Sequence, residues 1–195
     1  RLNQKQNVTD AETMETIERQ QSIYIAQVTN ILTENIPSNI LDKLASWRNI
    51  SLLGNTNTVK RNILSNVMFT VTTDVSDLVG SGIDKLIAKR TGQRSLNAPN
   101  LKTQWKGFKK GWSHAIEDVK LGVNTSVGEN RYSLKPQHAF TNETLRKLET
   151  ASYFGVEGTD RPFVEAHYET ALENIMTLEG LEYGKDIPTN KMKDE

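Results

Sequence analysis

The sequence has no cysteine, which excludes a disulfide frame, a thiol nucleophile and any thiolate-bound metal. Histidine is nearly as scarce: His114, His138 and His167 are too few and too scattered to announce a metal site. Net charge is missing too. The 24 Lys and Arg residues balance 24 Asp and Glu, so nothing global draws the chain toward nucleic acid or a membrane. No run reaches the ~18 apolar residues that crossing a bilayer requires, and a soluble segment is expected. The start, Arg1-Leu2-Asn3-Gln4, lacks an initiator methionine and the apolar stretch of a signal peptide, so we expect a piece of a longer polypeptide. There is no repeat of fixed period, which argues against a solenoid. A G-x-S-x-G elbow is absent, and so is a complete phosphate-binding loop. Leu53-Gly54-Asn55-Thr56 lacks the Lys-Ser/Thr ending, and Gly80-Ser81-Gly82 lies inside an apolar helical pattern. No cofactor and no small-molecule substrate are expected. The Asn-x-Ser/Thr triplets at Asn7, Asn49, Asn124 and Asn142 read as chance in an asparagine-rich chain.

What is present is helical periodicity. Hydrophobic residues make up 36% of 195, enough for a core but lean for a large one, so an elongated helical body is expected. Thr9-Asp10-Ala11-Glu12 supplies a capping oxygen and first-turn acids, and Ile17, Ile25, Val28 and Leu32 follow at helical spacing, which places a first helix over about residues 10 to 35. Pro37-Ser38-Asn39 stops it and caps a second helix through Leu41, Leu44, Trp47, Ile50 and Leu53. Gly54 is expected to end that helix in the left-handed conformation. Asn55-Thr56-Asn57-Thr58 offers capping oxygens, and the apolar pattern restarts at Val59, Ile63, Val67, Val71 and Leu78. It runs on to Ile87 past Gly80-Ser81-Gly82, whose glycines cost helix stability. Val67 to Val75 is rich in β-branched residues and also passes for a strand, but the three-and-four spacing on both sides favours helix. Arg90 to Asn100 is polar and aperiodic and reads as a linker. Helices over Leu101–Val123, Asn142–Phe154 and Arg161–Leu181 complete the count, with a loop at Gly122–Pro136 and a loose tail from Gly184.

Charge is unevenly spread. Residues 41–120 carry thirteen basic against six acidic residues, a local +7, and residues 141–195 carry six against twelve, a local −6. The densest basic stretch is Lys102-Thr103-Gln104-Trp105-Lys106-Gly107-Phe108-Lys109-Lys110-Gly111-Trp112. Its lysines and aromatics suit phosphates and bases, or an anionic membrane surface. The same spacing puts Trp105, Phe108 and Trp112 on one stripe, as in an ordinary core helix with a solvated basic face, and that reading is preferred. A third reading packs the basic middle on the acidic C-terminal helix. His114 and Glu117 stand one helical turn apart and would bind a metal only if other helices supplied ligands. An exposed helix pair is the simpler reading, and no metal is expected.

Two further stretches carry a resemblance. Trp47-Arg48, Ser51-Leu52-Leu53-Gly54-Asn55, Thr58, Arg61-Asn62 and Asn66 follow W-R-x-x-x-x-L-G-N-x-x-T-x-x-R-N-x-x-x-N. Gly158-Thr159-Asp160-Arg161-Pro162-Phe163, with Tyr168 and Leu172, follows D-x-x-F-x-x-x-x-Y-x-x-x-L. Together they resemble segments of very large multi-domain (polyvalent) proteins of phages, prophages and integrated mobile elements. Asn49-Ile50 and Asn57 depart from that pattern, where an aromatic-aliphatic pair and a proline are commoner. The resemblance implies a virion setting, or the host cytoplasm after delivery with DNA, and carries over no active site. On physical grounds Trp47 is expected to anchor, Gly54 to permit a reversal and Thr58 to cap the third helix. Arg61, unfavourable at a helix N-terminus, is expected to have a partner. Asp160 is expected to cap a helix with Pro162 in its first turn, and not to act as a general base.

The expectation is therefore an all-α chain, an irregular bundle of about six helices with helices 1–3 antiparallel. Its sequence divides into an N-terminal bundle at 1–92, C-terminal helices at 93–183 and a tail at 184–195. The expected role is non-enzymatic. It is a structural or interaction domain whose partners are other domains of the same large protein or other virion proteins. The alternative is a nucleic-acid or membrane-surface module acting through Lys102, Trp105, Lys106, Lys109, Lys110 and Trp112.

Overall fold

The computed structural model describes residues 2–34, 36–123, 125, 138–184, 186 and 188. Most of the expected loop at 122–136, the Asn124 triplet and most of the expected tail lie outside the described residues. The described residues form an all-α fold: α1 (Leu2–Glu34), α2 (Ile40–Leu53), α3 (Thr56–Thr91), α4 (Leu101–Leu121), α5 (Glu143–Tyr153) and α6 (Thr159–Leu178). A π-helical turn, Phe154–Gly158, joins α5 to α6. No strand occurs among the described residues, so Val67–Val75 is helical as the flanking spacing requires.

The helix boundaries follow from local chemistry. Asn39 caps α2 in a capping box: its side chain accepts from the Asp42 amide at 2.8 Å while the Asp42 carboxylate accepts from the Asn39 amide at 2.9 Å. Asn142 caps α5 by accepting from the amides of Thr144 and Leu145. Three boundaries differ from expectation. The backbone of α1 is already helical from Leu2, ahead of the Thr9-Asp10 signal. Gly54 ends α2 at φ −70°, in the right-handed region. Glycine is required there by space, because a Cβ would stand 2.5 Å from the Ile50 carbonyl oxygen and 3.1 Å from Ser152 Oγ of α5. Asp160 is no cap, since the π turn runs directly into α6 and leaves Asp160 inside its first turn.

Two compact units interleave along the chain. The first comprises 1–17, 66–111 and 162–195, and the second 18–65 and 112–161. The expected division at residues 92–93 falls inside the first unit. In that unit α4 crosses α6 closely: a Cβ on Gly107 would lie 2.6 Å from the Glu165 carbonyl oxygen and 2.9 Å from Ala166 Cα. Phe108 stacks on Trp105 and meets Phe163 edge-on, at ring distances of 5.4 and 5.3 Å. Ala166, Leu172 and Met176 are buried beside Pro162. Residues 92–100, expected as a linker, form a strap tied at both ends. Asp84 of α3 accepts from the Ser95 hydroxyl and the Ser95 and Leu96 amides, and Asn174 and Glu173 of α6 bond Asn97 and Asn100.

In the second unit α2 packs on α5. The Ser46 hydroxyl donates to the buried Glu149 carboxylate, and Ser38 donates to the Ala139 carbonyl at 2.8 Å. Ile50, Ala115, Val123 and Ala139 are its buried apolar residues.

Candidate functional site

The basic-aromatic segment lies on α4, and the structure splits it. Lys102, Lys106 and Lys109 are exposed, and Trp105 is 58% exposed with the Lys109 ammonium 5.5 Å from its ring centre. Lys106 sits 5.4 Å above the Tyr183 ring. Lys110 turns the other way, into an acidic set in the first unit. It pairs with Glu169 of α6 and with Glu15 at 2.8 Å, and Glu165 lies 3.9 Å off. Burial alone would depress the Lys110 ammonium. The charge of Glu169 and the bonds to Glu15 and Glu169 outweigh it and hold the group above its usual range. The Tyr183 hydroxyl also donates to Glu169, and burial together with that carboxylate raises the phenol. The reading that packs the basic stretch on the acidic C-terminal helix thus holds for Lys110. Trp112, in the second unit, is exposed.

The two motif stretches meet in the second unit. Asn62 of α3 donates through Nδ2 to the Asp160 carboxylate and reaches Thr159 Oγ1 at 3.4 Å. The other motif residues behave differently from expectation. Trp47 is 56% exposed although Ser46 and Ile50, its neighbours on α2, are buried. Thr58 does not cap α3. Its hydroxyl donates back to the Leu52 carbonyl at 2.8 Å, satisfying an open acceptor at the end of α2. The cap comes from Asn55, whose side chain accepts from the Asn57 amide at 2.9 Å. Arg61 is exposed and makes no ion pair among the described residues.

Beside that junction, still in the second unit, lies a charge cluster that sequence inspection does not single out. Asp118 of α4 accepts from Arg19 of α1 at 2.6 Å, from Arg161 of α6, and from the Thr125 amide at 2.9 Å and hydroxyl at 2.8 Å. Arg19 also grips Glu117 at 2.8 Å and donates to the Thr125 hydroxyl. Burial pushes the Asp118 carboxyl up; the Thr125 amide, the two arginines and the Thr125 hydroxyl more than compensate and hold it below its usual value. Arg19, Arg161 and Asp118 are largely withdrawn from water, and the half-exposed Glu117 supplies the second negative charge that balances the two arginines. A signal for this cluster exists in the sequence: Arg19 is the sole cation between residues 10 and 35, embedded among acids.

Glu117 is thus engaged by Arg19, and no group of three or more His, Asp or Glu side chains among the described residues could hold a metal ion. His138 lies 3.4 Å from Glu149. Burial raises the Glu149 carboxyl, but the His138 ring, the Ser46 hydroxyl and the Ala139 amide together hold it below its usual value. His167 contacts Thr70 at 3.1 Å and meets the Phe69 ring edge-on. It opens onto a cleft of about 440 Å³ in the first unit, between α3, the strap and α6, with Asp74, Asp77, Asn97 and Glu173 on its walls. Buried Asn97 Nδ2 and Glu173 Oε2 have no hydrogen-bond partner among the described residues.

The most unusual surface is apolar. Ile40, Leu41, Leu44, Trp47 and Leu52 of α2 are exposed, while its buried side carries Ser46 and Ile50. Of the 36 residues of α3 only Ser81 is buried, whereas Leu64, Met68, Val71, Val75, Leu78, Val79 and Leu86 are all more than half exposed. No helix among the described residues is long and apolar enough to cross a membrane. No protein-family model, curated protein or solved structure matches the chain.

Proposed function

We propose that this chain is a non-enzymatic structural and interaction domain of a large protein encoded by a phage or mobile element, packed with other domains of that protein or with other virion proteins and delivered with DNA. The observation that supports it is the outward apolar side of α2 and α3. Exposed apolar patches of this extent mark surfaces meant to be covered, and polar bonds fix the inward sides so that the helices cannot simply roll over. The phage or element setting rests on the resemblance, whose two stretches touch at Asn62 and Asp160. The test is hydroxyl-radical footprinting of Leu41, Leu44 and Trp47 on α2, in the isolated chain and in the assembled parent particle. Oxidation of these side chains should fall at least several-fold on assembly. Equal oxidation in both states would refute the reading.

A second reading has its own observation. Lys102, Lys106 and Lys109 remain exposed on the helix that carries the half-exposed Trp105, a combination suited to a nucleic-acid strand or an anionic surface. Lys110, paired with Glu169, is left out of this reading. Retention on DNA that weakens with salt and disappears in a Lys106→Glu, Lys109→Glu variant would favour it over the first.

A further inference from the structure

From Lys85 to Ile116 the chain has eight Lys and Arg residues and no Asp or Glu. Two of the eight are engaged: Lys110 pairs with Glu15 and Glu169, and Arg94 lies 3.9 Å from Asp84. Lys102, Lys106 and Lys109 are exposed and make no ion pair among the described residues. Trp105, Lys106 and Lys109 follow Lys102 by three, four and seven residues, intervals that put all four on one side of α4. The other side is occupied. Thr103 and Gly107 are buried, Gly107 against the main chain of α6, and Lys110 turns to its acids. Trp105 is 58% exposed, yet the plane of its ring is set. It stacks on Phe108 at 5.4 Å with 4° between the planes, and Phe108 in turn meets Phe163 of α6 edge-on.

We propose that this side of α4 binds single-stranded nucleic acid, one base stacking on Trp105 while Lys102, Lys106 and Lys109 meet neighbouring phosphates. The inference rests on the second reading above and names its partner. Three unpaired cations call for a polyanion, and the ring chooses among polyanions. In a duplex the bases stack on one another and show only their edges in the grooves, so an exposed aromatic adds nothing there to what the lysines do. An unpaired base offers its face, and every base has one. A membrane surface asks for apolar side chains that leave the protein and enter the lipid. In the part of α4 within the first unit only Leu101 and Trp105 are large, apolar and exposed, and Trp105 is committed to Phe108. A ring already fixed in its plane loses less freedom when a base stacks on it. Lys102 and Lys109 stand about 10 Å apart along the helix, so the contact is short: one base and at most three phosphates.

The test titrates the full chain against a fluorescein-labelled thymidine oligomer and its duplex, read by anisotropy, and against phosphatidylglycerol vesicles, read by co-sedimentation. The single strand should bind with Kd on the order of 10–100 μM at low salt, and log Kd should rise with log salt at a slope of about 2, three phosphates at about 0.7 each. The duplex should bind at least several-fold more weakly. Trp105→Leu keeps an apolar contact for Phe108 but has no flat ring. It should weaken single-strand binding by roughly 5- to 150-fold with the salt slope unchanged, and Trp105→Phe should recover most of that loss, both with unchanged helical circular dichroism. Equal affinity for strand and duplex, or a Trp105→Leu variant that binds the strand as the wild type does, overturns the stacking inference while the lysine attraction of the second reading stands. Binding to vesicles but not to the strand overturns it in favour of an anionic surface. Binding to none of the three overturns the inference and the second reading together.

Discussion

Helices α6 and α3 both contribute to the first unit, and they face opposite ways. From α6, Pro162, Ala166, Leu172 and Met176 are buried, with the one buried carboxylate, Glu169, matched by Lys110 and Tyr183. That is the ordinary arrangement, in which the apolar stripe goes in and removal from water stabilises the fold. From α3 only Ser81 is buried, and beside the edge-on contact of Phe69 with His167 its inward side chains bond His167, Gln104 and the strap. Each such bond contributes only about 1 kcal/mol net. The contrast teaches that α3 is held by geometry-specific polar bonds while its hydrophobic potential remains unspent within the chain.

The sharpest way to break this comparison is to put the same charge into each helix. Met176→Asp buries a carboxylate in the tightest part of the core and should cost about 4 kcal/mol or more, enough to unfold a marginal domain. Leu78→Asp, at a position 54% exposed, should change the stability of the dilute chain by less than about 1 kcal/mol. Urea denaturation followed by circular dichroism measures both. If Leu78→Asp is as damaging as Met176→Asp, the outward apolar side of α3 is covered within the chain and the contrast fails.

Much of the fold is legible in the sequence, and the reason is local. Asn39 and Asn142 cap the helices they precede because the bonds involved span at most three residues. The three-and-four periodicity of α3 predicts a helix, correctly. Which side of it faces inward is not legible, because an apolar stripe says only that something should cover it. The pairing of Asn62 with Asp160 joins residues 98 apart and depends on the π turn that continues α5 into α6. No local pattern announces that turn, so a cap at Asp160 is the natural expectation. Gly54 is instructive in another way: the expected residue stands at the expected place, but the reason is crowding by Ile50 and Ser152 and not handedness.

Glycine offers a milder probe of the same contrast. Gly107→Ala, against the backbone of α6, should destabilise by roughly 1–3 kcal/mol, because the atoms it meets are main chain and cannot swing aside. Gly82→Ala, in open space on α3, should stabilise the dilute chain by up to about 1 kcal/mol through helix propensity alone. Opposite signs in thermal denaturation sharpen the comparison. A loss at Gly82 would place a neighbour there within the chain.

Acid should separate the two helices most gently. The Asp84 carboxyl is held below its usual value chiefly by the Ser95 hydroxyl, with the Leu96 and Ser95 amides and the charge of Arg94 also favouring the ionised form against desolvation. A carboxyl whose pKa is lower in the folded than in the unfolded chain adds stability that is complete above the unfolded value, 3.8, and is lost as pH falls through the folded one. Below pH 3.8 the strap should therefore loosen from α3, whereas Leu172 and Met176 are apolar and lose no bond of their own to acid. Hydrogen exchange resolves this, since the Ser95 and Leu96 amides both donate to Asp84. Their exchange, corrected for the intrinsic acid dependence, should quicken at pH 3 relative to pH 6, and the α6 amides near Met176 should keep their protection. Asp84→Asn should abolish that difference at Ser95 by weakening its bond at every pH. Equal loosening of strap and α6 would mean that α3 and α6 share one cooperative core, and the division between polar and apolar anchoring would not survive.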